Sequence, residues 1–207
     1  MKPLLGILGG TFDPVHFGHL RPALDVKQAL DLEQVRFLPN NVPPHREQPW
    51  LDTVTRKSLL ELALQETPGF ELDCRELERE GKSYMVDTLT SLHEDFPDHN
   101  LCLILGMDAF AGLYQWHQWQ RILEQCHIVV TGRPGFEWPS APELQALEVR
   151  RSSDVKELKQ AEVGRILLQS VTQLDISASE IRKQLQAGLD IRYLLPEAVR
   201  LKLLEIM

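Results

Sequence analysis

The chain has 207 residues and a mass of 23.7 kDa, a size that suits one domain and excludes two large ones. Lys plus Arg total 22 against 30 Asp plus Glu, a net charge of −8 and a pI near 5.4, which argues against a surface built to bind nucleic acid or anionic membrane and requires any phosphate to be met locally. With 43% hydrophobic and 25% charged residues the chain is neither disordered nor a coiled coil; no apolar run is long enough for a bilayer, and residues 1–5 lead into Gly-Gly rather than a secretory cleavage site, so a cytoplasmic location is expected.

In chain order, residues 4–8 read as a strand, 18–30 as an amphipathic helix, 35–38 as a strand and 53–64 as a helix. A helix is expected over 84–93, a strand over 101–105, a helix over 118–124, and strands over 127–131 and 166–169. Long loops are expected at 39–52, which holds Pro43-Pro44-His45, and at 132–142. Ser177 stands three residues before Glu180 and ahead of Ile181 and Leu185, a capping-box start for a helix, and Pro196 opens another. The alternation predicts an α/β fold with a doubly wound parallel sheet, one domain over 1–207 with a small helical part at 175–207. Cys74, Cys102 and Cys126 are widely spaced with no C-x-x-C, so neither a disulfide framework nor a thiolate zinc site is indicated.

The chemistry concentrates in Gly9-Gly10-Thr11-Phe12-Asp13-Pro14-Val15-His16-Phe17-Gly18-His19, between the first strand and the first helix. Ligands of parallel sheets bind beyond the carboxyl ends of strands. Paired glycines let backbone amides approach closely, a helix start offers unpaired N–H groups to a phosphate, and two imidazoles three residues apart can share one helical face. A tight turn and a capping histidine are the plain alternatives. H-x-x-H without a third ligand nearby is a weak zinc signal, and Asp13 before Pro14 reads equally well as a turn former. Ser179 and Arg182 lie at a helix start where an anion gains from dipole and guanidinium. Gly106 and Asp108 follow a strand end, with a helix cap as the competing role for Asp108.

The first stretch, with Ile176-Ser177-Ala178-Ser179-Glu180-Ile181-Arg182, resembles the two signatures of the H-x-G-H nucleotidyltransferase superfamily. Asn40 to Arg46, Ser83-Tyr84, Gly106-Met107-Asp108, Trp116, Arg133-Pro134-Gly135 and Tyr193 to Val199 are similar to its bacterial nicotinate-nucleotide adenylyltransferase branch. The resemblance implies a Rossmann-like fold and adenylyl transfer from ATP to nicotinate mononucleotide, with Mg²⁺ accompanying ATP; nicotinamide mononucleotide or another phosphorylated acceptor is the alternative. It implies that His16, His19 and Arg182 are catalytic and that Gly9, Gly10, Thr11, His45, Arg46, Gly106, Asp108, Arg133 and Ser179 hold ATP. It further implies a mononucleotide site of Phe12, Tyr84, Met85, Trp116 and His117, the indole as platform for the pyridine and the amides of Met85 and His117 as readers of its carboxylate. Trp116 taken alone reads more readily as core, beside Trp119, than as a ligand platform. The branch usually has Thr where this chain has Met85, which removes one hydroxyl donor from that end of the site.

Overall fold

The computed structural model describes residues 2–41, 48–79, 81–132 and 137–206. Seven strands form one all-parallel sheet: β1 (Leu4–Gly10), β2 (Gln34–Pro39), β3 (Phe70–Leu72), β4 (Asn100–Gly106), β5 (His127–Gly132), β6 (Arg151–Ser152) and β7 (Ile166–Ser170), in spatial order β3-β2-β1-β4-β5-β7-β6. Its helices are α1 (Phe17–Leu30), α2 (Thr53–Leu64), α3 (Arg75–Glu78), α4 (Met85–Asp95), α5 (Met107–Ala111), α6 (Trp119–Ile122), α7 (Pro142–Gln145), α8 (Val155–Gln160), α9 (Ala178–Gln186) and α10 (Glu197–Ile206).

Two-residue alternation along the strands divides the apolar side chains between the faces of the sheet. Leu101, Leu103 and Leu105 pack on one side with Val86, Leu89 and Leu92 of α4 and Phe110 of α5. Cys102 and Ile104 pack on the other, with Val26 of α1, Leu59 of α2, Ile181 of α9 and Val199 of α10. Helices thus cover both faces, the doubly wound arrangement expected.

The strand order reverses direction at β1, whose neighbours are β2 and β4. Pairing of β1 with β2 runs to the end of both, Gly10 opposite Pro39. Pairing of β1 with β4 stops at Ile7 opposite Leu103, three residues short of either strand's end. A crevice opens between those diverging ends, at the switch point where open α/β sheets take ligands.

Several expected elements differ in detail. β3, with three residues, and β6, with two, are too short for a period-two signal, and α3 and α8 hold only four and six residues. The helix expected over 118–124 is shorter, Trp119–Ile122: it starts after Gln118, which is left-handed with φ 50°, and ends two residues early. Ser177 caps α9 as expected, its Oγ accepting from the Glu180 amide at 3.2 Å. The return half of that capping box is not made: the Glu180 carboxylate lies 3.9 Å from Lys183 Nζ instead. All three cysteines are free, and no helix is long and apolar enough to cross a membrane among the described residues.

Candidate functional site

A cleft of about 580 Å³ occupies the crevice. It is lined by Gly9, Gly10, Thr11 and His19 from the first turn, Gly106 and Asp108 from the end of β4, and Tyr84, Met85, Trp116 and His117 from the far wall. A Cβ at Gly106 would stand in open space, so what the cleft meets there is backbone. One at Gly9 would lie 3.1 Å from Met85 Cε, so the methionine reaches from α4 to the glycine turn. Tyr84 caps α4 and stacks on His117 with ring centroids 4.3 Å apart. Gly106, not Asp108, caps α5, which leaves the Asp108 carboxylate exposed in the first turn facing the cleft.

The two imidazoles are not stacked along one helical face as their spacing suggested. His16 is the N-cap of α1, in extended backbone, and His19 is the third helical residue, so the rings meet across the cap with centroids 3.8 Å apart. The His16 amide donates to His19 Nδ1 at 3.3 Å. A neutral His19 accepting at Nδ1 carries its proton on Nε2 and keeps that N–H as a donor. Burial lowers His16 to about 4. Burial, and then the neighbouring His16, lowers His19 to about 3. Near neutral pH both rings are uncharged donors.

Gly18 explains how this corner packs. A Cβ there would come within 2.8 Å of His16 Nδ1 and 2.9 Å of the Ile176 carbonyl oxygen, so only glycine lets the start of α1 meet the chain entering α9. The Gly18→Ala variant is expected to fold with a loss of about 1–3 kcal/mol and to lose at least about tenfold in kcat as His16 is displaced. Thermal melts and steady-state kinetics on the same preparation check both.

Across that contact, Arg182 Nη1 of α9 donates to the Asp13 carbonyl at 2.6 Å and lies 3.4 Å from Asp13 Oδ2, while Nη2 reaches Ser179 Oγ at 3.3 Å. Arg182 and Ser179 therefore stand against the turn that carries the histidines; of these residues and the two imidazoles, His19 alone lines the cleft. Phe12 is different: its ring is buried, edge-on to His19 at 5.1 Å, so only its backbone is available to a ligand. His45, Arg46 and Arg133 lie outside the described residues.

Four polar groups in or behind the cleft were given no site role by the sequence, although Asp13 and Asn40 lie within its motifs. Asn40 lines it and hydrogen-bonds Thr11, Nδ2 to Oγ1, at 3.4 Å. Glu76 lines it too, its carboxyl pushed up by burial and accepting from Thr88 Oγ1 at 2.8 Å. The buried Asp13 accepts from the Trp50 and Leu51 amides at 2.8 and 2.9 Å. Arg56 is buried beneath Thr11. Its signal was present: on α2 it occupies the same stripe as Leu59, Leu60, Ala63 and Leu64, an apolar face where a charge needs a reason.

A crevice at the switch point, floored by glycines and headed by a helix start with two donor imidazoles, defines a nucleotide-handling α/β protein, and the cytidylyltransferase-like family matches residues 7–184. The chain belongs to the nicotinate-nucleotide adenylyltransferase family. It is 45% identical to a protein of Aeromonas hydrophila described as a probable nicotinate-nucleotide adenylyltransferase, over 96% of this chain and 94% of that one. With another so described from Acidithiobacillus ferrooxidans it shares 49% identity, over 94% and 90% of the two chains. The structure of Plasmodium falciparum nicotinic acid mononucleotide adenylyltransferase complexed with NaAD superposes with a TM-score of 0.72 at 16% identity, covering 99% of this chain and 96% of that one, a likeness of fold.

Proposed function

We propose that the protein transfers the adenylyl group of ATP to nicotinate mononucleotide, giving nicotinate adenine dinucleotide and pyrophosphate in NAD biosynthesis. The observation that carries this reading is that one cleft joins two unlike ends: a glycine-rich end of Gly9, Gly10, Thr11 and His19, suited to an anion, and an aromatic end of Tyr84, Trp116 and His117. The names of the relatives point to the same reaction.

The mononucleotide phosphate is already an anionic nucleophile. One of its oxygens attacks the α-phosphorus in line, and the bond from that phosphorus to the bridging oxygen breaks with release of pyrophosphate. No covalent enzyme intermediate is needed, so this chain's task is orientation and charge stabilisation. His19 Nε2–H and the His16 ring donate to phosphate oxygens as charge builds on them, and Arg182 serves the same phosphates from α9. The amides and hydroxyl of Gly9, Gly10 and Thr11, with Ser179, hold the chain of phosphates. His45, Arg46 and Arg133 complete the ATP contacts in this reading. Gly106 backbone and the exposed Asp108 carboxylate take the adenosine ribose. Trp116 supports the pyridine while the Met85 and His117 amides, the first at a helix start, bind its carboxylate.

Mg²⁺ supplies charge neutralisation on the triphosphate. In this reading the cation would be carried by the phosphates and water rather than by a protein cage. The whole chain acts as one domain, with 175–207 contributing Ser179 and Arg182, and works in the cytoplasm, where its free thiols stay reduced.

The test is pyrophosphate release from ATP and Mg²⁺ with nicotinate mononucleotide, nicotinamide mononucleotide and pantetheine phosphate in turn. The acid mononucleotide is expected to give the highest kcat/KM. A higher value for the amide would overturn the substrate assignment, and would be traced first to Met85, which offers an amide but no hydroxyl.

A further inference from the structure

Arg56 has no part in the chemistry above. It is 1% exposed, donating from Nη1 to the Thr11 carbonyl at 2.8 Å and from Nη2 to Thr53 Oγ1 at 3.3 Å. Thr11 lines the cleft and Arg56 does not, so the carbonyl is gripped from the protein side. A trans peptide carries its C=O and N–H on opposite sides of one plane. Drawing the Thr11 oxygen inward therefore turns the N–H of the same peptide, that of Phe12, toward the cleft. Phe12 has φ 47°, a left-handed backbone costly to a bulky residue. Turns of that kind aim successive amides at an anion. Burial disfavours the charge on Arg56 while Asp13 and then Asp52 favour it, so a cation is held under the turn despite the cost of desolvating it.

We propose that Arg56 is a positioning residue for the triphosphate: it fixes the Thr11–Phe12 peptide with its N–H facing the anion and touches no substrate itself. The inference rests on the anion-binding role given to this turn above.

Calorimetric affinities for inorganic pyrophosphate and for ATP, with KM values for both substrates, are measured on the wild type and on Arg56→Met, Arg56→Lys and Thr53→Val. Arg56→Met is expected to weaken pyrophosphate and ATP binding about tenfold or more. Arg56→Lys, which keeps charge but cannot fork between two oxygens, falls between it and the wild type. Thr53→Val, which removes only the second anchor, costs about threefold. KM for the mononucleotide stays within about twofold throughout, a split that general loosening of the fold would not produce. If Arg56→Met fails to fold, the other two variants carry the test. Wild-type affinity for pyrophosphate in folded Arg56→Lys and Thr53→Val, or equal losses for both substrates, would overturn the proposal. A wild type that binds neither pyrophosphate nor ATP would instead bring down the anion-binding reading on which it stands.

Discussion

Alanine at His16 or at His19 is expected to lower kcat by about 100-fold or more, the usual consequence of removing one preorganised donor from a developing anion. The double variant should be little worse than either single one, because the two rings are in contact, with centroids 3.8 Å apart, and serve the same phosphates as a unit. The KM for ATP should change less than kcat, since a donor that tightens only as charge develops contributes mainly in the transition state. Near-normal turnover in both variants, with melting curves showing intact folding, would refute the role given to these rings.

Their protonation provides an independent check. In the folded protein the two rings are lowered from 6.5 to about 4 and about 3. The unfolded chain takes up protons at 6.5 that the folded chain refuses, so stability is full above that pH and falls as pH drops toward 4. A thermal midpoint that declines over this window in the wild type, and less steeply in His16→Ala and His19→Ala, is the expected result. Because kcat/KM reports groups of the free enzyme, neither ring should produce an acid limb above about pH 5. A limb near pH ~6 belongs to the mononucleotide phosphate itself and should survive in both variants.

The sequence revealed the architecture wherever a period had room to repeat. Strands such as residues 101–105 and helices such as 53–64 carry enough apolar residues in register to declare themselves. β3 and β6 do not, since two or three residues hold no period. The glycine turn, the imidazole pair and the aromatic wall were legible because glycine, histidine and tryptophan at a strand end are chemically conspicuous. What holds them was not. Asp13 beside a proline is indistinguishable from a turn former, and its partners Trp50, Leu51 and Arg182 are 37 to 169 positions distant. Asn40, just past the end of β2, and Glu76, on the four-residue α3, reach the cleft through chain paths that no local pattern encodes. Phe12 shows the converse: the motif marks the residue, but its ring serves the core and its peptide serves the site.

Asp13→Ala is expected to be the most destabilising single change near the site. Its carboxylate accepts from the Trp50 and Leu51 amides at 2.8 and 2.9 Å and faces Arg182 at 3.4 Å. A hydrogen bond to a charged group contributes about 1.5–3 kcal/mol; with Trp50 at the surface, where water replaces part of the loss, the total is about 3 kcal/mol. For a chain of this size that lowers Tm by roughly 6–12 °C. Asn at the same position keeps one acceptor but presents an NH₂ to the other amide and no charge to Arg182, so it should fall midway. Turnover separates the two jobs of this cluster. Arg182 retains its bond to the Asp13 backbone carbonyl, 2.6 Å, whatever side chain stands at 13, so Asp13→Ala should cost about tenfold in kcat. Arg182→Ala removes the phosphate contact itself and should cost about 100-fold while shifting Tm less, because the Trp50 and Leu51 amides keep their acceptor. The reverse ranking, a stable Asp13→Ala and an active but unstable Arg182→Ala, would make Arg182 the structural member and take it out of the phosphate contacts.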